Sequence, residues 1–273
     1  MCGTFAEYCA ISRAERNVRI LPENVSFVEA AALGCRFTTA YRAVLQQGQL
    51  CQSTAIKGGG NGNNEKTVAI FGCGGLGLSC VAIAAAFGAK RIITVDINID
   101  ALEKALDLGA TDIVRSKIMP MSYQWNDSNI KDNAVYRQIM EMTDGAGADL
   151  TIDAGGFEQT CLDAIWTTRR GGRFVQVGLP SKQVAMPMAR VAGREIIIAG
   201  SHGFSSVEDN SGVSALDHIL ELVACGKLQP RKLVDREVTL EEGVKALMDM
   251  DTVSPLGMVM ITKFCGSDTK SKL

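Results

Sequence analysis

The stretch VAIFGCGGLGLSCVAIAAAFGA, residues 68–89, passes from a β-branched apolar run through a knot of glycines into an alanine-rich run. Gly72, Gly74 and Gly77 fit the pattern G-x-G-x-x-G. The run Thr67–Gly72 reads as a strand before it, and Gly75–Phe87 reads as a helix after it. A second strand, Arg91–Asp96, ends in an acid 19 residues beyond Gly77. Each part has a physical use. Gly72 allows the tight turn, Gly74 lets backbone approach a pyrophosphate, and Gly77 lets the helix pack on the strand. Gly75 and Leu76 open a helix whose N-terminus offers free N–H groups and a partial positive charge to that pyrophosphate. Asp96 would accept hydrogen bonds from both hydroxyls of an adenosine ribose and repel a 2′-phosphate, which favours NAD over NADP. A glycine-rich turn standing alone could serve close packing only; the strand, helix and acid around this one point to a dinucleotide. S-adenosylmethionine is the rival ligand, but its enzymes usually place an acid just before the glycines, where this chain has Ile70 and Phe71.

Outward from this motif the chain alternates between strands and helices. Further strands are expected at Thr111–Val114, Ala148–Ala154, Gly172–Gly178 and Arg194–Gly200. Helices are expected at Ile99–Leu108, Asn133–Met142 and Glu158–Thr168. Strands that are apolar throughout and alternate with helices belong to a parallel sheet covered on both faces. The expectation is an α/β fold: a doubly wound, Rossmann-type six-stranded parallel sheet of order 3-2-1-4-5-6. Its ligand crevice would lie at the carboxyl ends of strands one and four.

The flanks read differently. Residues 1–35 carry strand and turn signals, including Phe5, Tyr8, Ala10 and Ile11, and a short helix that Ser26 and Glu29 could close as a capping box. Beyond Gly203 a polar loop leads to a helix with Val213, Leu216, Ile219, Leu220 and Val223 on one face, then to a helix from Thr239 and a strand-like end. The expected division is 1–35, 36–203 and 204–273, the two ends forming a smaller, incomplete body. Lys57–Lys66 and Ser116–Asn133 look like inserted loops. At 273 residues, 47% apolar and 21% charged, the chain has the composition of an ordinary globular protein. A formal net charge of −2 argues against non-specific nucleic-acid or membrane-surface binding, and no apolar run approaches the roughly 20 residues of a spanning helix. The nine cysteines form no C-x-x-C, so a disulfide framework is not expected.

Together, GTFAEYCAI, LPENVSFVEAAALGCRFTTAYRAV, VAIFGCGGLGLS, ITVDIN, LGATDIV, GRFVQVGLP and IIIAGSHG occur in the order and spacing of one family. The chain resembles the zinc-type alcohol dehydrogenases, the medium-chain dehydrogenases/reductases, over almost its whole length. The resemblance implies a cofactor domain beside a catalytic domain made from both chain ends. In the family, G-x-FAEY stands well over a hundred residues into the chain, so Met1 reads as a point partway through, with the front of the catalytic domain missing. On sequence alone Cys35 is a lone thiol between Gly34 and Arg36, the usual setting of a small buried hydrophobe. Its place in LGCRFTTAY is that of the family's third catalytic zinc ligand. The other two ligands have no counterpart, so zinc, expected in the family, is not expected to be held by this chain alone.

The same resemblance places Thr39 beside the nicotinamide ring. It gives Val177, Gly178 and Leu179 backbone contacts to the carboxamide, and it sets Gly155 near the adenosine ribose. It implies NAD-dependent hydride transfer between an alcohol or aldehyde and nicotinamide, impaired where zinc is lost. A non-catalytic NAD-binding module, or a zinc-free quinone reductase of the same superfamily, is the alternative. Two family features are replaced: a Lys five residues after the ribose acid is Ala101, and a basic residue near the last strand is lost in SPLGMVMI. A homodimer paired at REIIIAG is implied as well. Ser271-Lys272-Leu273 matches the carboxyl-terminal address read by the peroxisomal import receptor, so a peroxisome or glycosome is the expected destination, with the cytosol as the fallback.

Overall fold

The computed structural model describes residues 9–14, 18–51, 64–120, 123–203, 215–249 and 256–263. These form two compact units, residues 35–205 and residues 1–34 with 206–273. The first holds the sheet. Its strands are β1 (Asn64–Phe71), β2 (Ala89–Asp96), β3 (Asp112–Arg115), β4 (Ala148–Asp153), β5 (Thr168–Gln176) and β6 (Ile197–Gly200). They pair in the order β3-β2-β1-β4-β5-β6, every pair parallel. This is the expected topology. Phe71 pairs with Val95 on one side and Asp153 on the other, so three carboxyl ends finish level and define one rim.

Why the rim is open follows from the connections. Strand β1 passes through the glycine turn into a helix at Gly75–Ala86, which is apolar on all sides. One side meets the sheet, and a helix at Cys35–Tyr41 packs along another. Helices at Ile99–Asp107, Ala134–Met142, Glu158–Thr167 and Met188–Gly193 lie in the remaining crossovers. Asn98 and Asn133 cap the first two, each accepting a backbone N–H two or three residues on. The core between sheet and helices includes Phe71, Ile93, Val114, Ile139, Ile165 and Phe174. Among the described residues no helix is long and apolar enough to cross a membrane.

In the second unit Ser26 and Glu29 form the expected capping box on the helix Phe27–Ala32. Helix Ala215–Ala224 buries Ile219, Leu220 and Val223; Val213 lies outside the described residues. Thr239 and Glu242 form a second capping box on helix Leu240–Met248, beside a two-stranded parallel sheet of Val234–Thr239 and Met258–Lys263. Arg19 pairs with Asp217 at 2.9 Å and Asn24 Nδ2 donates to the Ala224 carbonyl at 2.6 Å, so segments from both flanks of the sheet belong to this one body.

Three expectations need correction. Ala10 and Ile11 are irregular and exposed, not a strand, while Phe5 and Tyr8 lie outside the described residues. Asn64–Lys66 belong to β1 and not to an inserted loop; the rest of that tract, as far as residue 57, lies outside the described residues. Strand β5 starts at Thr168, four residues ahead of Gly172, because a register shift lets Ala148 pair with Thr168.

Candidate cofactor-binding site

Gly72 turns the chain at the end of β1 with φ +92°, a conformation that side-chain-bearing residues rarely adopt. Its N–H donates to the Val95 carbonyl at 2.8 Å, and a Cβ there would lie 2.8 Å from Gly155 Cα. A Cβ on Gly77 would overlap the Gly72 carbonyl oxygen. Gly74 differs: a Cβ would meet no protein atom within 4 Å. Gly72 and Gly77 are therefore demanded by packing, whereas the space over Gly74 belongs to a cleft of about 860 Å³.

That cleft brings Gly72, Gly74, Asp96 and Gly155 together. Gly75, Leu76 and Gly77 form the first turn of the helix at its edge. Asp96 Oδ2 accepts the Cys73 N–H at 2.6 Å, and Oδ1 accepts the Asn98 N–H at 2.8 Å. Two backbone donors hold the carboxylate at the cleft wall, and each oxygen keeps capacity for a further donor. Burial, with the Asp96 charge added, pushes the Cys73 thiol up to about 12, so it stays a neutral packing group.

The residues that the resemblance assigns to the nicotinamide lie outside the lining of this cleft. Thr39 is buried in helix Cys35–Tyr41, and its carbonyl accepts the Ser201 hydroxyl at 3.2 Å. Val177 and Gly178 follow β5, and both of their N–H groups donate to the Asp153 carbonyl, at 3.0 and 2.8 Å. The Gly178 carbonyl accepts Gln176 Nε2 at 2.7 Å. Leu179 beyond them is largely exposed.

Two acids that the sequence left unassigned organise the rim. Asp153 is fully buried; its Oδ1 accepts the Gly155 and Gly156 N–H groups and its Oδ2 accepts Gln176 Nε2. It ties the turn after β4 to the turn after β5. Burial pushes its carboxyl up, against the pull of those hydrogen bonds. Asp163 and Gln159 stand one turn apart on helix Glu158–Thr167 and pin the segment after β3. Gln159 Oε1 accepts the Met119 N–H at 2.9 Å, while Asp163 Oδ1 accepts Trp125 Nε1 at 3.1 Å and Asn133 Nδ2 at 2.8 Å. Ser116–Asn133 is thus no idle insertion: Ile118, Met119, Tyr123 and Trp125 line the cleft. A polar i, i+4 pair in an otherwise buried helix was the signal available for finding it.

Cys35 is not the buried hydrophobe that its sequence setting suggested. It is exposed at the start of its helix, with Sγ 4.0 Å from Thr39 Oγ1. Among the described residues no three His, Cys, Asp or Glu side chains converge. The described residues do not fit a three-ligand zinc site.

A family model described as zinc-binding dehydrogenase matches residues 75–221. A probable D-xylulose reductase A of Emericella nidulans is 31% identical over 253 residues, covering 92% of this chain and 60% of that one. Sorbitol dehydrogenase 1 of Saccharomyces cerevisiae is 32% identical over 180 residues, covering 66% and 46%. Among solved structures, alcohol dehydrogenase TADH from Thermus sp. ATN1 superposes with a TM-score of 0.70 at 26% identity, covering 90% of this chain and 61% of that one. The chain thus spans about 60% of the length of the first of these relatives.

Proposed function

Since the chain belongs to the zinc-type alcohol dehydrogenases, we propose that it binds NAD(H) at the carboxyl ends of β1, β2 and β4, as the cofactor-binding part of an alcohol or polyol oxidoreductase. The observation that carries this reading is Asp96, held by two backbone amides on the wall of a cleft whose floor is the glycine turn. When bound, nicotinamide accepts or gives the hydride. This chain's residues do the holding. The first turn of helix Gly75–Ala86 presents N–H groups to the pyrophosphate. The Asp96 carboxylate takes the ribose hydroxyls and repels a 2′-phosphate. Thr39 and the turn at 177–179 would border the nicotinamide.

The names of the relatives point to polyols and their ketoses as substrates. With Cys35 lacking converging ligands among the described residues, alcohol oxidation by this chain alone is proposed to be impaired. Titration with NADH and NADPH, with Asp96→Ala alongside, tests the cofactor reading. NADH should bind more tightly, and Asp96→Ala should narrow the gap; NADPH binding as tight as NADH would overturn it. Metal analysis and an NADH-formation assay with ethanol, xylitol and sorbitol test the rest. The expected result is no stoichiometric zinc and no turnover above background. One zinc per chain with turnover abolished by Cys35→Ser would refute the impairment.

A further inference from the structure

We propose that Arg36 is the cation that clamps the pyrophosphate of the bound dinucleotide, an assignment that rests on the NAD(H) reading above. The packing of helix Cys35–Tyr41 along helix Gly75–Ala86 brings the Arg36 side chain over the glycine turn. A Cβ on Gly75 would lie 2.7 Å from Arg36 Nη1 and 3.3 Å from its Cδ, so the guanidinium rests against bare backbone at the first helical residue. Arg36 is exposed, and among the described residues it has no hydrogen-bond or ion-pair partner. A free guanidinium has the wrong sign for a helix N-terminus, which already carries about half a positive charge. An anion between the two turns that repulsion into attraction.

The cleft lining itself supplies no such cation. Its charged lining residues are Asp96, Glu158 and Asp163, all acidic, and no Lys or Arg lines it. A pyrophosphate dianion entering there meets helix amides but also this acidic wall. A guanidinium against Gly75 offsets the clash and offers paired N–H donors to phosphate oxygens. Independently of the helix end, Gly74 leaves open space beside it for those oxygens, with nothing within 4 Å of a Cβ.

Calorimetric titration of the full chain with NADH and with adenosine, which carries no phosphate, separates the possibilities. Arg36→Gln should weaken NADH binding at least tenfold and leave adenosine binding unchanged, with Arg36→Lys in between. Raising salt from 50 to 200 mM should weaken NADH binding to the unaltered chain more than to Arg36→Gln. NADH affinity within twofold of the unaltered chain in Arg36→Gln would overturn the assignment alone. Equal losses of NADH and adenosine binding would also overturn it, since Arg36 would then act through the fold. An unaltered chain that binds no NADH would overturn both this assignment and the reading beneath it.

Discussion

A methyl group on Gly77 would strike the Gly72 carbonyl oxygen, backbone against backbone, with no flexible side chain to give way. One on Gly74 would strike nothing within 4 Å and would occupy cleft space instead. The two glycines therefore separate folding from binding. Gly77→Ala should destabilise the chain by about 3 kcal/mol or more, the upper range for forced overpacking. Gly74→Ala should stay within about 1 kcal/mol of the original, the scale of an N-cap change, yet weaken NADH binding. Thermal melts read beside NADH titrations check this pair. A stable Gly77→Ala chain, or a Gly74→Ala chain with full affinity, would contradict the roles assigned. Sequence pattern named both glycines, but only the close approach of Gly72 to Gly155 and Gly77 shows which of them packing requires.

The segment after β3 is held to helix Glu158–Thr167 by Gln159 and Asp163. Burial pushes the Asp163 carboxyl from 3.8 up to about 6, opposed by its hydrogen bonds from Trp125 and Asn133. Below about pH 4 the group is protonated both folded and unfolded. Between there and about pH 6 the unfolded chain releases the proton while the folded chain keeps it, so stability falls as pH rises. The full effect is about 3 kcal/mol. Asp163→Asn keeps an acceptor for Trp125 and Asn133 and removes the buried charge. The melting temperature of the original chain should therefore drop relative to the variant between pH 4 and 7. Asp153, likewise pushed up by burial, is present in both chains and cancels from the difference. Parallel curves across that range would sink the idea. Nothing in the periodicity of Ser116–Asn133 announced an anchored wall, because its anchors sit on a helix far along the chain.

At the scale of the molecule, strand β6 ends the sheet with Ile197 and Ile198 exposed at 48% and 39%. An apolar edge of this kind is an open template for pairing. We propose that two copies join there. Light scattering at micromolar concentration should report a dimer, and Ile198→Lys should shift it toward monomer; a clean monomer before mutation would rule the pairing out. The tail Ser271-Lys272-Leu273 lies outside the described residues and is proposed as a peroxisomal address. A fluorescent reporter carrying residues 264–273 should gather in peroxisomes, and one that stays diffuse would remove the proposal.

Strand order, the glycine turn and the acid that closes β2 were all legible in the order of residues, because a parallel sheet needs continuous apolar strands and a strand–turn–helix unit of this kind carries its glycines at set spacing. Those are local demands, met within about thirty residues of chain. The capping box at Ser26 is local in the same way. The buried roles of Asp153 and Asp163, the wall built from Ser116–Asn133, the exposure of Cys35 and the resting place of Arg36 against Gly75 were not legible. Each depends on which elements meet across tens of residues, and the packing of the folded chain alone decides which carboxylate loses its water and which cation finds a helix end.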